Sequence, residues 1–212
     1  MIEYPKIPNI FIREQYGKNR LIEGKYTSDE LEYLDLNYWI GTEKVDGTNI
    51  RVCWDGYSVG FRGRTDKAQI PKQLLERLQE LFGGTEKEEL FEQTFGKKEV
   101  ILFGEGYGGK IQNGGKYGTE DFILFDVLCD GYWLKRDNIY EIAGIFDLKT
   151  VPVVFRGSLE DAVEFIRKHP KSRLKDEAME GIVCVPQTQL YTRNGERIIV
   201  KIKCRDFEEE TT

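Results

Sequence analysis

The sequence predicts an α+β fold of antiparallel sheets flanked by helices, and three observations predict it. Short strand-like runs are joined by Asp-Gly or Asn-Gly steps at Asp55-Gly56, Asp130-Gly131 and Asn194-Gly195. These pairs tolerate the positive φ that both central positions of a two-residue hairpin turn need, so each predicts an antiparallel hairpin. Segments with apolar residues at helical spacing interrupt the runs. The 212 residues contain no internal repeat, low-complexity linker or evident boundary, which predicts one domain over 1–212.

The elements follow in order. Ser28–Leu34 reads as a short helical turn. Tyr38–Thr42 and Ile50–Trp54 read as strands on either side of a polar loop, and Tyr57–Phe61 returns through Asp55-Gly56. Pro71–Phe82 carries Leu74, Leu75, Leu78, Leu81 and Phe82 at helical spacing, with Pro71 to start it and Gly83 to stop it. Thr85 and Glu88 have the spacing of a capping box opening a helix that runs toward Phe95. Phe122–Leu128 and Tyr132-Trp133-Leu134 form the second hairpin, and Asn138–Phe146 a third helix. Ser158 opens a fourth, with Ala162, Val163, Phe165 and Ile166 on its apolar face and Pro170 closing it. Gln189–Thr192 and Arg197–Ile202 make the last hairpin.

Composition narrows the chemistry. Hydrophobic content of 40% and charged content of 32% describe a folded chain rather than a disordered one. No apolar run approaches the roughly 18 residues of a membrane span, and Met1–Lys6 lacks a basic-then-apolar leader, so a cytoplasmic protein with no membrane partner is expected. Cys53, Cys129, Cys184 and Cys204 form no CxxC pair, which predicts free buried thiols rather than a zinc site. The single histidine, His169 in Lys168-His169-Pro170, reads as a helix cap. Catalysis must then rest on lysine, carboxylates and a metal ion. A net charge of −6 argues against a general nucleic-acid coat but leaves room for a local basic groove.

Lys44, in Glu43-Lys44-Val45-Asp46-Gly47-Thr48-Asn49, is the focal residue. Alone it is a solvated turn lysine or a nucleophile, with even claims to each. Its companions are Arg64 in Phe61-Arg62-Gly63-Arg64-Thr65, Glu105 in Gly104-Glu105-Gly106, Phe125-Asp126, Glu180-Gly181, and Lys201-Ile202-Lys203. At a strand period of two, Lys201 and Lys203 share a face. For each the plainer reading is a loop charge, a cap or core packing.

Lys44-x-Asp46-Gly47, Phe125-Asp126, Glu180-Gly181 and Lys201-x-Lys203 resemble, in this order, the signature of the covalent nucleotidyltransferases. That superfamily holds the ATP-dependent DNA ligases, the RNA ligases and the mRNA capping enzymes. Lys44-Val45-Asp46-Gly47-Thr48-Asn49 is similar to the RNA ligase 2 family, which includes the RNA-editing ligases; DNA ligases and capping enzymes usually carry arginine where Asn49 stands. Gly104-Glu105 and Ile111-Gln112 add to this resemblance, which covers residues 35–205.

The resemblance implies the nucleotidyltransferase (ATP-grasp-like) fold and three transfers: lysine attack on the α-phosphate of ATP, passage of AMP to a 5′-phosphate RNA end, and attack by a 3′-hydroxyl that seals the strand. A free lysine titrates near about 10.4, so a nucleophilic one needs nearby positive charge and partial desolvation. Lys201, Lys203 and Mg²⁺ (or Mn²⁺) are the implied cations. Lys203 is implied at the α-phosphate and Lys201 on the base or phosphate side. Phe125 is implied to stack on adenine, Glu105 to bind a ribose hydroxyl, and Arg64 to contact the ribose and the nucleic-acid end. Glu180, with Asp46 and Asp126, is implied at the metal; Asn49 orients the loop or a metal-bound water; Glu43 faces adenine through its backbone.

RNA-binding candidates are Lys110, Gln112 and Lys116 in the glycine-rich stretch 104–118, and Arg13, Lys18 and Arg20 near the N-terminus. The chain stops soon after Lys203, at Glu208-Glu209-Glu210-Thr211-Thr212. A minimal form without a C-terminal oligonucleotide-binding or helical domain is therefore expected, with a partner protein able to replace it. Two other readings stand beside RNA ligation. A minimal DNA ligase or capping-type guanylyltransferase differs in nucleotide and acceptor. A non-catalytic nucleotide- or RNA-end-binding module would need no nucleophile.

Overall fold

The computed structural model describes residues 2–16, 18–112 and 114–207. The acidic terminus from Glu208 to Thr212, and Asn113 within the glycine-rich stretch, lie outside the described residues. In chain order the elements are β1 (Phe11–Arg13), β2 (Leu21–Tyr26), α1 (Asp29–Tyr33), β3 (Trp39–Glu43), β4 (Thr48–Trp54), β5 (Val59–Arg62), α2 (Lys72–Phe82), α3 (Thr85–Phe95), β6 (Val100–Tyr107), β7 (Asp121–Cys129), β8 (Tyr132–Trp133), α4 (Arg136–Ile145), β9 (Lys149–Thr150), β10 (Val153–Gly157), α5 (Leu159–Arg167), β11 (Gly181–Pro186) and β12 (Val200–Lys203). They form two compact units, one of Met1–Tyr4 with Asp46–Val151 and one of Pro5–Val45 with Pro152–Thr212.

The first unit is a sheet in the order β5-β4-β6-β7-β8, antiparallel throughout except that β9 lies parallel to β7. One face carries Ile50, Val52 and Trp54 of β4, Leu102 of β6, and Phe122, Leu124 and Val127 of β7. These pack with Leu74, Leu78 and Phe82 of α2, Phe91 and Phe95 of α3, and Ile139, Ile142 and Ala143 of α4. Strand alternation sends Asn49, Arg51 and Cys53 of β4, and Ile101, Phe103 and Glu105 of β6, to the other face. A bulge interrupts β7: Phe103 pairs with Asp126 and Gly104 with Leu124, which leaves Phe125 as the extra residue. The bulge turns both Phe125 and Asp126 toward the face of Asn49 and Glu105.

The second unit has an antiparallel sheet in the order β10-β3-β11-β12 and a β1-β2 ribbon. Leu159, Ala162, Val163 and Ile166 of α5 pack with Trp39, Ile182, Cys184, Val200 and Ile202. With Val200 and Ile202 toward the helix, Lys201 and Lys203 share the opposite face, as their spacing predicts.

Helices α2, α4 and α5 lie where the apolar periodicity predicts them. At α5 the Ser158 hydroxyl accepts from the Asp161 N–H at 3.0 Å while the Asp161 carboxylate accepts from the Ser158 N–H at 3.2 Å. His169 follows α5 at φ +47°, its N–H donating to the Ile166 carbonyl at 3.0 Å, a capping position. The capping box expected at Thr85 does not form. Gly84 is the cap residue, its carbonyl accepting from the N–H groups of Lys87 and Glu88, and the Glu88 carboxylate accepts from the Val59 N–H instead.

The predicted hairpins differ among themselves. Asp130 and Gly131 both take positive φ and join Cys129 to Tyr132 in a two-residue turn. At Asp55-Gly56 only the glycine does, because the Asp55 carboxylate accepts from the N–H groups of Tyr57 and Ser58. At Asn194-Gly195 the flanking pairing shrinks to one bridge, Tyr191 to Arg197, and the regular strand begins at Val200. The four cysteines are free, and Cys53, Cys184 and Cys204 are buried. Among the described residues no helix is long and apolar enough to cross a membrane.

Leu78 is fully buried where α2 meets the sheet of the first unit. Leu78→Ala is expected to lower unfolding stability by about 2–5 kcal/mol, measured by urea titration.

Candidate active site

The second unit brings Lys44, Glu180 and Lys203 together. Lys44 follows β3, Glu180 precedes β11, and Lys203 ends β12; these three strands are neighbours in the order β3-β11-β12. The Lys44 N–H donates to the Gly181 carbonyl and the Cys204 N–H to the Glu180 carbonyl, both at 2.9 Å, so the backbone itself sets the alignment. The two oxygens of Glu180 are then divided. Oε2 accepts from Lys44 Nζ at 2.6 Å, and Oε1 from Lys203 Nζ at 2.8 Å.

Gly181 makes this close alignment possible. A Cβ there would stand 2.1 Å from the Ile202 carbonyl oxygen and 2.7 Å from the Lys203 Cα. Only a residue without a side chain lets β11 approach β12 this closely beside Glu180. The side chains of Lys44, Glu180 and Lys203 keep 24%, 18% and 14% of their exposure, enough burial to strengthen the pairs and enough opening to admit a ligand. Burial acts to raise the Glu180 carboxyl, but Lys44 and Lys203 outweigh it and hold the group below the usual carboxylate range.

Lys201 lies on the same strand face as Lys203, and its Nζ donates to the Ile7 carbonyl at 2.8 Å. Glu43 pairs with Ile182 across the sheet, which directs its side chain to the α5 side; its buried carboxylate accepts from the Ser172 hydroxyl and from the Arg173 N–H at 2.9 Å. The Glu43 side chain is thus engaged inside the unit, and its N–H donates to the Pro152 carbonyl at 2.9 Å.

The first unit gathers a second set. Asn49 and Glu105 are direct cross-strand partners on β4 and β6. Asn49 Oδ1 is buried with no hydrogen-bond partner, an acceptor that a ligand donor would satisfy. Gly47 passes so close to β6 that a Cβ would stand 2.3 Å from the Gly106 carbonyl oxygen and 2.8 Å from Glu105 Cγ. This close pass explains the glycine of the Asp46-Gly47 step. The Asp46 N–H donates to the Tyr117 hydroxyl at 3.3 Å. Phe125 is half-buried, and Asp126 is buried with Oδ2 accepting from the Tyr4 hydroxyl at 2.7 Å. Arg64 is exposed in the loop after β5.

Sequence reasoning did not single out Tyr4 or Arg51, which lie on the face of Asn49 and Glu105. Tyr4 packs edge-on against both Phe125 and Phe103, with ring centroids 5.0 Å apart in each case. No spacing or motif in the sequence points to it. Arg51 did leave a signal, a charge within the apolar strand Ile50-Arg51-Val52-Cys53-Trp54. Burial pushes the neighbouring Cys53 thiol up to about 11, which keeps it inert.

Of the RNA-binding candidates, Lys110, Gln112, Lys116, Lys18 and Arg20 are exposed. Arg13 is half-buried, its guanidinium 2.7 Å from Asp206. Among the described residues no group of three or more histidine, cysteine or acidic side chains is placed to hold a metal ion by itself.

A family model described as RNA ligase matches residues 37–203, most of the chain, and that range includes Lys44, Asn49, Arg64, Glu105, Phe125, Glu180, Lys201 and Lys203. The chain belongs to the RNA ligase family. Its fold is similar to that of a Naegleria gruberi RNA ligase. An apo variant of that protein gives a TM-score of 0.66 at 17% identity, over 97% of this chain and 58% of that one. A variant with ATP and Mn gives 0.63 at 19% identity, over 82% and 51%. The chain therefore spans little more than half the length of these structures. A chloroplastic peptidyl-prolyl cis-trans isomerase of Arabidopsis thaliana is 33% identical over 104 residues, 48% of this chain and 38% of that protein.

Because the folded Glu180 carboxyl sits below its unfolded value, its stabilisation is complete above that value and is lost as pH falls through the folded one. Thermal unfolding followed from pH 7 downward should show this loss beginning below about 4.3. Glu180→Gln is expected to cost about 1–3 kcal/mol at neutral pH and to flatten the acid-side decline.

Proposed function

We propose that this protein is an ATP-dependent RNA ligase that works through a lysyl-AMP intermediate on Lys44. The observation that carries the reading is the Glu180 carboxylate shared between Lys44 and Lys203. A lysine held beside a second ammonium, in a partly desolvated setting, is poised for phosphoryl chemistry rather than for a turn surface. Family membership over residues 37–203 supports it, as does likeness in fold to an RNA ligase variant with ATP and Mn.

In the first step Lys44 Nζ gives up its proton and attacks the α-phosphorus of ATP. The P–N bond forms as the P–O bond to pyrophosphate breaks. The proton is lost to solvent on the open side of the site, and Glu180, hydrogen-bonded to Lys44 Nζ, holds the amine in place for attack. Lys203 is assigned to offset charge on the α-phosphate, and Lys201, on the same strand face, to add positive potential. AMP then passes to the 5′-phosphate of an RNA end, and a 3′-hydroxyl displaces it. Phe125 is assigned to stack on adenine, worth about 1–3 kcal/mol. Glu105 is assigned to a ribose hydroxyl, Asn49 and Glu43 to nucleotide contacts, and Arg64 to the ribose and the RNA end. The unpartnered Asn49 Oδ1 and its Glu105 neighbour support that assignment.

The donor set fits a hard divalent ion that keeps most of its water and takes its remaining ligands from phosphate. Glu180 is the carboxylate proposed to hold Mg²⁺ or Mn²⁺, with Asp46 and Asp126 as the further acidic candidates. When bound, the ion would supply positive charge beside the phosphate. Residues 1–212 are read as one nucleotidyltransferase domain acting on broken or nicked RNA, with a partner protein able to help engage the ends.

Incubation with ATP and Mg²⁺ is expected to add one AMP mass to the intact protein. Lys44→Ala should abolish the adduct, and Lys203→Ala should slow it by roughly 100-fold or more. No adduct, or an adduct indifferent to Lys44→Ala, defeats the catalytic reading. Labelling by GTP in preference to ATP, or sealing confined to all-DNA nicks, would replace it with the guanylyltransferase or DNA ligase alternative.

A further inference from the structure

Arg51 on β4 has no exposed surface. A guanidinium is stable in an interior only when its donors are met. Here Nε donates to the Gly63 carbonyl at 2.8 Å, one terminal nitrogen to Asp66 Oδ1 at 2.8 Å, and the other to the Ile2 carbonyl at 3.2 Å. None of these acceptors belongs to a strand. Two of them, Gly63 and Asp66, bracket Arg64 and Thr65.

The bracketed segment is otherwise lightly tied. β5 ends at Arg62, the register partner of Arg51. The Ala68 N–H closes a turn onto the Thr65 carbonyl at 3.1 Å, and Gly63 lies tight against Ala68, where a Cβ would stand 2.8 Å from the alanine methyl. Arg64 points its exposed side chain from this tip. The Asp66 carboxyl is held below its usual range, first by the hydrogen bond from Arg51. An apolar residue would serve the strand's packing as well; the three bonds serve only the loop and the N-terminal segment.

We propose that Arg51 is a positioning residue for Arg64, its buried guanidinium gripping both flanks of the 63–66 tip so that Arg64 is preset to meet substrate. This rests on the role proposed above for Arg64. Presetting spares the loop the entropy of ordering at each binding event. A small misplacement of a contacting group can cost roughly 10- to 100-fold in rate.

The test is a double-mutant cycle on the full chain with Arg64→Ala and Asp66→Ala, with Arg51→Lys beside it. It reads KM for ATP, the maximal rate of adduct formation, and sealing of a pre-adenylylated RNA nick. Asp66 is half-exposed, so Asp66→Ala removes the acceptor with less strain on the fold than Arg51→Lys, and unfolding midpoints are recorded for each. Arg64→Ala and Asp66→Ala should each cost roughly tenfold or more in the same parameter. Combined, they should lose no more than Arg64→Ala alone, because Asp66 and Arg51 act through it. Additive losses, wild-type rates in folded Asp66→Ala, or wild-type rates in Arg64→Ala beside a normal Lys44 adduct would each overturn the inference while leaving nucleotidyl transfer intact. Absence of the adduct from the wild-type protein would instead overturn the proposed function, and this inference with it.

Discussion

One carboxylate, Glu180, holds two ammonium groups, and the second unit is arranged so that it can. Lys44 and Lys203 would repel each other at this separation without an anion between them. Placing the anion requires β3, β11 and β12 to lie side by side with their relevant ends together. That in turn requires a glycine at position 181, because a side chain there would strike the backbone of β12. The helix α5 and its apolar contacts hold the sheet from behind, leaving the lysine face uncovered by that core. The ion pairs are modest in energy and decisive in geometry: they keep a flexible four-carbon side chain aimed at one point.

The first unit meets a different requirement, which is to present polar groups from a sheet whose other face is packed against helices. Alternation alone puts Asn49 and Glu105 on the free face. It would have put Phe125 and Asp126 on opposite faces. The bulge at Phe125 lets both turn the same way, and Tyr4 then packs on the ring and donates to the carboxylate. Arg51 occupies the same face and is spent on the loop after β5. The candidate groups thus gather in two places, a lysine cluster and a sheet face that mixes polar with apolar side chains, each anchored by its own core.

How far this could be read in advance varies residue by residue. The spacing of Lys201 and Lys203 was enough to put them on one face, and Ser158 was enough to start α5, because strand period and helix capping act over a few neighbouring residues. The Thr85 box failed because Gly84 took the cap position, a competition between adjacent residues that spacing alone does not rank. Asp55-Gly56 formed its turn one residue later than expected because the Asp55 carboxylate bound two N–H groups itself. Tyr4 was invisible since its partners, Phe125 and Asp126, lie more than a hundred residues away in the chain.

The order of short motifs from Lys44 to Lys203 determined, without any coordinates, the family and the sheet-and-helix class, and it singled out Lys44 as the candidate nucleophile. Those are properties of residue type and local period, and a linear chain records both. Only the tertiary structure decided that Glu180 is shared by Lys44 and Lys203, that the Glu43 carboxylate faces inward to Ser172, that Phe125 is bulged, and that Arg51 grips the segment carrying Arg64. Each of these depends on strand register and on contacts between residues remote in sequence. Register is set by the packing of whole faces, so no single stretch of the chain contains it.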